Sequence, residues 1–129
     1  SIRDWVNLAA LVEREAGQDK DRPLVASVFL NRLEIDMPLQ SCATLQYILK
    51  TDKFVFSTED TKVESPYNTY IHTGLPPSPI ANPGHASLAA VLDSPETDYL
   101  YFLANREGET FFSKTYQEHQ RKMKEHGLS

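Results

Sequence analysis

Residues 8–16 read Leu8-Ala9-Ala10-Leu11-Val12-Glu13-Arg14-Glu15-Ala16. With Trp5 upstream, the apolar residues Leu8, Leu11 and Val12 recur at helical spacing, which predicts an amphipathic helix over 3–16 with Gly17 as its stop. Glu13 and Glu15 are two residues apart, so they lie roughly 200° apart around that helix. Glu15 follows Leu8, Leu11 and Val12 by helical intervals and sits on the flank of the apolar stripe. Glu13 points further away. A carboxyl group drawn toward an apolar face is partly desolvated, which disfavours its charged form and suits a general acid near neutral pH. The alternative is a helix-terminal glutamate that bends out to water, since Glu is almost never fully buried.

Asp21 is placed to cap a second helix, with Pro23 in its first turn, where a missing N–H does little harm. Val25, Val28, Phe29, Arg32 and Leu33 carry this helix to about Ile35, and Met37-Pro38 ends it. A short helix is predicted over 43–49. Residues 51–66 are polar and without periodicity, as in a long surface loop, and such loops are often functional. Residues 66–95 hold six of the eight prolines. Their run Gly74-Leu75-Pro76-Pro77-Ser78-Pro79 excludes a regular helix or central strand. A helix follows over 84–92. Segments 99–104 and 110–112 flank Asn105-Arg106-Glu107-Gly108-Glu109 as a hairpin, and residues 115–126 form a closing helix. Several helices with one small sheet make an α+β domain.

At 129 residues the chain holds one domain's worth of sequence, 40% of it hydrophobic and 24% charged. A net charge of −5 argues against a nucleic-acid partner. The basic residues Lys114, Arg121, Lys122 and Lys124 alternate with Glu118 and Glu125, as on a solvated helix. The longest apolar run, Leu24 to Leu30, is far short of the roughly 20 residues a bilayer span needs. Ser1 opens directly on a helical pattern, as expected of a fragment cut from a longer protein. Cys42 is the single cysteine, so there is no intrachain disulfide and no thiolate zinc site.

Two segments are rich in hydrogen-bonding side chains. One runs from Leu39 to Tyr47 and includes Gln40, Ser41, Thr44 and Tyr47; the other is Tyr67-Asn68-Thr69-Tyr70. Either could orient a hydroxyl-rich ligand, or simply cap a helix and pack a turn. Cys42 with His72 or His85 is a rival candidate, a thiol nucleophile. His72, His85, His119 and His126 lack metal-ligand spacing, and neither a metal nor a cofactor is expected.

Seven stretches, in order and covering nearly the whole chain, resemble the catalytic domain of the YceG-like (MltG) family of bacterial endolytic murein transglycosylases. They are residues 8–16, Val25-Ala26-Ser27-Val28-Phe29-Leu30-Asn31-Arg32-Leu33, Met37-Pro38-Leu39-Gln40-Ser41, Tyr67-Asn68-Thr69-Tyr70, Gly74-Leu75-Pro76-Pro77, Pro79-Ile80-Ala81-Asn82-Pro83-Gly84 and Tyr99-Leu100-Tyr101-Phe102. The resemblance implies a lysozyme-like helical core with a small hairpin. It also implies a catalytic glutamate in the Val-Glu-x-Glu-Ala stretch, placed at Glu15, and a cleft lined by Gln40 and Tyr67-Asn68; the polar character of their two segments adds Ser41, Thr44, Tyr47, Thr69 and Tyr70 as expected glycan contacts. The implied activity is peptidoglycan lyase chemistry at the MurNAc–GlcNAc β-1,4 bond, leaving 1,6-anhydroMurNAc ends during cell-wall biogenesis. A muramidase using Asp36 or Glu64 as second carboxylate and a non-catalytic glycan-binding module are the alternatives. Many relatives carry Asp-Pro where this chain has Cys42-Ala43, so no role for that Asp transfers. Family members are anchored by an N-terminal transmembrane helix, act on the extracytoplasmic side and carry a LysM-like region. Residues 1–129 are accordingly expected to be an excised catalytic domain, with glycan strands and cell-wall synthases as partners.

Overall fold

The computed structural model describes residues 1–16, 18–53, 56–105 and 107–127. Helix α1 runs Ile2–Glu15, α2 Arg22–Glu34, α3 Cys42–Leu49, α4 His85–Leu92 and α5 Tyr116–Glu125. Strands β1 (Tyr101–Ala104) and β2 (Thr110–Ser113) form an antiparallel hairpin. The α+β class and the order of elements match the sequence reading. The expected stop at Gly17 and the Arg106 position of the hairpin turn lie outside the described residues.

Helix α1 starts where Ser1 Oγ accepts the Asp4 N–H at 3.2 Å, a side-chain cap for an otherwise orphan donor. Its middle departs from a simple amphipathic stripe, because Asn7 through Val12 are all buried. The cause is packing by α2, α3 and α4 around one helix, where Ala9 and Ala10 take little room. Leu8, Leu11 and Val12 meet Val25, Ala26, Phe29 and Leu39 in the core. Phe102 of β1 stands edge-on to Phe29 at 5.8 Å between centroids, and this contact seats the hairpin against the helices.

Asp21 occupies the N-cap position of α2, but its side chain makes no capping bond there. Its backbone is already in the helical region, continuous with the tight turn Asp19–Asp21 before it, whereas a capping side chain needs an extended backbone. Pro23 lies in the first turn as expected.

Buried polar side chains hold the irregular segments. Trp5 Nε1 donates to Leu88 O at 2.8 Å, and Asn7 Nδ2 to Pro76 O at 2.7 Å, fixing the proline-rich run against α1. Asn31 Nδ2 donates to Thr97 O and Tyr99 O. Arg32, 5% exposed, donates through Nε to Leu100 O and through a terminal nitrogen to Leu39 O. One guanidinium thus satisfies carbonyls on both sides of the cleft described below. In the hairpin turn, Gly108 has φ +83°, a conformation that glycine adopts without a Cβ penalty. Asn105 Oδ1 accepts the N–H groups of Glu107 and Glu109 beside it.

The 61–70 loop closes around Asn68, which is fully buried. Its amide donates to Thr61 O at 3.1 Å and Val63 O at 2.8 Å, and its oxygen accepts Tyr70 N–H at 2.9 Å. Asn68→Ala leaves these backbone groups without a partner and is expected to cost roughly 2–4 kcal/mol. Denaturant unfolding checks this, and a midpoint equal to the parent's contradicts it.

Candidate functional site

Glu15 ends α1 and Ser41 precedes α3, so packing α1 on α3 brings a carboxylate to a helix N-terminus. Glu15 Oε1 accepts Ser41 Oγ–H at 2.6 Å and the Ala43 N–H at 3.0 Å. Ser41 sits at the N-cap of α3 yet does not cap that helix with its own side chain. Glu15 supplies the acceptor instead, and the positive end of the helix favours it. Oε2 accepts no hydrogen bond among the described residues, so one oxygen is fixed and the other is left for the cleft.

Behind this pair the 39–44 and 68–70 segments are stitched together. Ser41 N donates to Thr69 Oγ1 at 2.9 Å, Gln40 N to Thr69 O at 3.1 Å, and Thr44 Oγ1 to Ser41 O at 2.7 Å. Ser41, Thr44, Asn68 and Thr69 are all buried. They hold the wall on which Glu15 rests, and their polar groups are spent on one another.

Glu15 opens on a cleft of about 1040 Å³. One wall carries Arg14, Glu15, Gln40, Cys42, Gln46 and Tyr70. β1, its turn and α5 contribute Tyr101, Phe102, Asn105, Gly108, Tyr116 and His119 to the lining, and Arg32 also lines the cleft. Among the described lining residues Glu15 is the one carboxylate. Gln40 has φ +50°, a left-handed backbone that costs a non-glycine residue energy. The cost is met at the position that puts this amide side chain on the rim.

Of the sequence candidates, Glu15, Gln40 and Tyr70 line this cleft directly. Tyr47 and Tyr67 do not. Their rings pack together at 5.0 Å, and Tyr67 OH bonds Ser78 Oγ at 2.6 Å. Asp36 is absent from the cleft lining, and Glu64 and His72 line a separate cavity of about 540 Å³. Cys42 Sγ lies 3.1 Å from Tyr70 OH, and burial pushes its thiol above the ordinary range, the opposite of an activated nucleophile. Neither His72 nor His85 lines the cleft with it. Burial likewise pushes the Tyr70 hydroxyl far up, with Cys42 adding to the effect, so it stays a neutral phenol. The lining from the hairpin and α5 escaped sequence reasoning. Arg32 had shown a signal, a charged residue inside an apolar helical stripe. Tyr101 lay in a family-like stretch that named no role for it, and Tyr116 and His119 showed no signal, because only folding brings the hairpin and α5 into one cleft with Glu15. Among the described residues no group of three or more His, Cys, Asp or Glu side chains converges as metal ligands would.

The model of the YceG-like family matches residues 1–125. The chain belongs to the YceG-like family. A family relative from Bacillus subtilis strain 168, named endolytic murein transglycosylase, is 47% identical over 119 residues, covering 92% of this chain and 33% of that protein. A protein of the same name from Streptococcus pneumoniae serotype 2 is 35% identical over 132 residues, covering 98% of this chain and 24% of its own length. The chain thus spans a third or less of these relatives. A crystal structure of a YceG-like protein from Listeria monocytogenes superposes with a TM-score of 0.90 at 45% identity, over 95% of this chain and 40% of that one. The family fold is therefore the fold described above, and the Glu15 cleft lies within the shared region.

Glu13 has a different task. Its Oε1 accepts Gly84 N–H and Ser87 Oγ–H, both at 2.8 Å, with Arg22 3.8 Å away. It ties α1 to the start of α4. The Gly84 N–H foremost, then Ser87 and Arg22, hold its carboxyl below the ordinary glutamate value of 4.5. A folded-state pKa below the unfolded one stabilises the protein at neutral pH, and that contribution fades as pH falls through the glutamate range. Glu13→Gln is expected to lower stability by about 1 kcal/mol at pH 7 and to flatten the acid limb of the stability–pH curve. Thermal unfolding across that range checks this, and an unchanged acid limb contradicts it.

Proposed function

We propose that this chain is the catalytic domain of a bacterial, membrane-anchored endolytic lytic transglycosylase acting on peptidoglycan at the extracytoplasmic face of the cell membrane. The observation that carries the reading is a single carboxylate in a polar and aromatic cleft large enough for several sugar rings. Hydrolytic glycosidases place two carboxyl groups across the scissile bond, about 5–5.5 Å apart for retention or about 6.5–9.5 Å for inversion. The cleft lining offers Glu15 and no described second acid. The names of the family relatives support the same reading.

In the proposed reaction Glu15 gives its proton, from Oε2, to the oxygen joining MurNAc to GlcNAc. The C1–O bond breaks with its electron pair going to that oxygen, and the N-acetyl carbonyl of the muramoyl sugar steadies the electron-poor C1. The muramoyl 6-hydroxyl then attacks C1 and returns its proton to Glu15. No water is consumed, and a 1,6-anhydroMurNAc end results. Ser41 and Ala43 stabilise the carboxylate between the two proton transfers and fix its direction. Such fixed donors cost no reorganisation during reaction. Gln40 and Tyr70 are the glycan contacts on this wall. Ser41, Thr44, Asn68 and Thr69 act by holding the wall, and Tyr47 and Tyr67 would meet a strand only beyond the cleft.

Mass spectrometry of peptidoglycan digested with the chain should give ends lighter by one water than reducing ends; reducing ends would reject the lyase reading in favour of a muramidase. Glu15→Gln is expected to lower turnover at least about 100-fold with stability retained, whereas Glu13→Gln keeps turnover within a few-fold of the parent. Cleavage by Glu15→Gln at the parent rate would remove this glutamate from the chemistry, and turnover at background in the unmutated chain and Glu15→Gln alike would favour a glycan-binding module. Ser41→Ala should lower kcat about tenfold with KM nearly unchanged, because Ser41 is 1% exposed and acts only through Glu15. A raised KM with kcat intact would instead make Ser41 a substrate contact.

A further inference from the structure

We infer that the cleft lining from the hairpin and α5 is a sugar-binding subsite in which the exposed ring of Tyr116 is the platform, backed by Tyr101 and His119. This rests on the glycan-strand reading above and assigns a part of the cleft for which the sequence named no role.

Tyr116 opens α5, with Thr115 capping the helix through Glu118 N–H at 3.2 Å. Its ring lies 5.7 Å from that of Tyr101 and 6.2 Å from that of His119, and Tyr101 and His119 are stacked at 5.1 Å and 25°. The Arg32 guanidinium lies 5.4 Å from the Tyr101 centroid. Tyr101 is therefore fixed between a cation and a neighbouring ring, and Tyr116 is supported by both members of the stack. Yet Tyr116 remains 56% exposed while lining the cleft. A large ring braced on one side and open on the other lacks its packing partner.

The chemistry of the wall selects that partner. Burial, with Arg32 nearby, holds His119 below the ordinary histidine range, which favours its neutral imidazole. A β-1,4-linked N-acetylated sugar presents a face of axial C–H groups, weakly positive, and aromatic rings present a weakly negative face to it. Its hydroxyls and amides stay at the rim, where Gln40 lines the same cleft. Glu15 and Tyr116 line one cleft, so a strand threaded through it meets both the acid and the platform. Tyr116 is thus a binding residue: its loss should weaken strand affinity and raise KM, with kcat for bound substrate little changed.

The test titrates the Glu15→Gln chain, which binds without turning over, with the tetramer of β-1,4-linked N-acetylglucosamine, following heat or chemical-shift changes. Tyr116→Ala in that background should weaken the Kd about tenfold, or about 1.4 kcal/mol, and Tyr116→Phe should restore it. Equal Kd values with and without Tyr116→Ala, at an unchanged Tm, overturn the subsite. Equal losses in Tyr116→Ala and Tyr116→Phe also overturn it, because the hydroxyl and not the ring face would then be the contact. Should Tyr116→Ala lower the Tm, Tyr116→Leu keeps the bulk without the ring and decides. Failure of the transglycosylase reading looks different: Tyr116-dependent binding persists while the unmutated chain leaves glycan strands uncut.

Discussion

The Glu15 carboxylate, held through Oε1 by the Ser41 hydroxyl and the Ala43 N–H, joins the end of α1 to the beginning of α3, and the geometry of the cleft follows from that junction. A carboxyl group at this distance from a helix N-terminus is steered by two donors and the helix dipole, so its second oxygen has a defined direction. The donors are themselves held. Ser41 is pinned by Thr69, Thr69 is bonded to Thr44, and the loop that carries Thr69 is closed by Asn68. A chain of buried polar side chains thus runs from the 61–70 loop to one acidic oxygen.

The two glutamates of α1 meet different partners. Glu13 spends its charge on Gly84, Ser87 and Arg22 and fastens α4 to α1. Glu15 keeps an oxygen for the cleft. Two residues of separation on a helix suffice for this, because the two side chains meet different neighbours on different faces.

Arg32 is the second joint. It donates to carbonyls of Leu39 and Leu100, on segments that lead into opposite walls of the cleft, and lies near the Tyr101 ring. Phe29 and Phe102 make the apolar counterpart of the same joint. The walls are therefore spaced by one buried cation and one aromatic contact. The exposed Tyr116 ring lines the same cleft as Glu15.

The local pattern sufficed for the helices, the hairpin and the different directions of Glu13 and Glu15. Helical periodicity, proline exclusion and turn chemistry act over a few residues, and the angular offset between Glu13 and Glu15 is set by helix geometry alone. Ordered stretches such as Val25–Leu33 and Pro79–Gly84 carried the family. Local pattern could not tell which polar residues of 39–47 and 67–70 face a ligand. Ser41, Thr44, Asn68 and Thr69 look identical in sequence to surface polar groups, and only packing shows them buried and mutually satisfied. Nor could it place Tyr101, Tyr116 and His119 in one cleft with Glu15, a juxtaposition of residues about a hundred positions apart. Sequence determined which elements form, because that depends on near neighbours along the chain. Tertiary structure alone decided which side chains share a cleft, because that depends on how the buried faces of α1, α2 and the hairpin fit together.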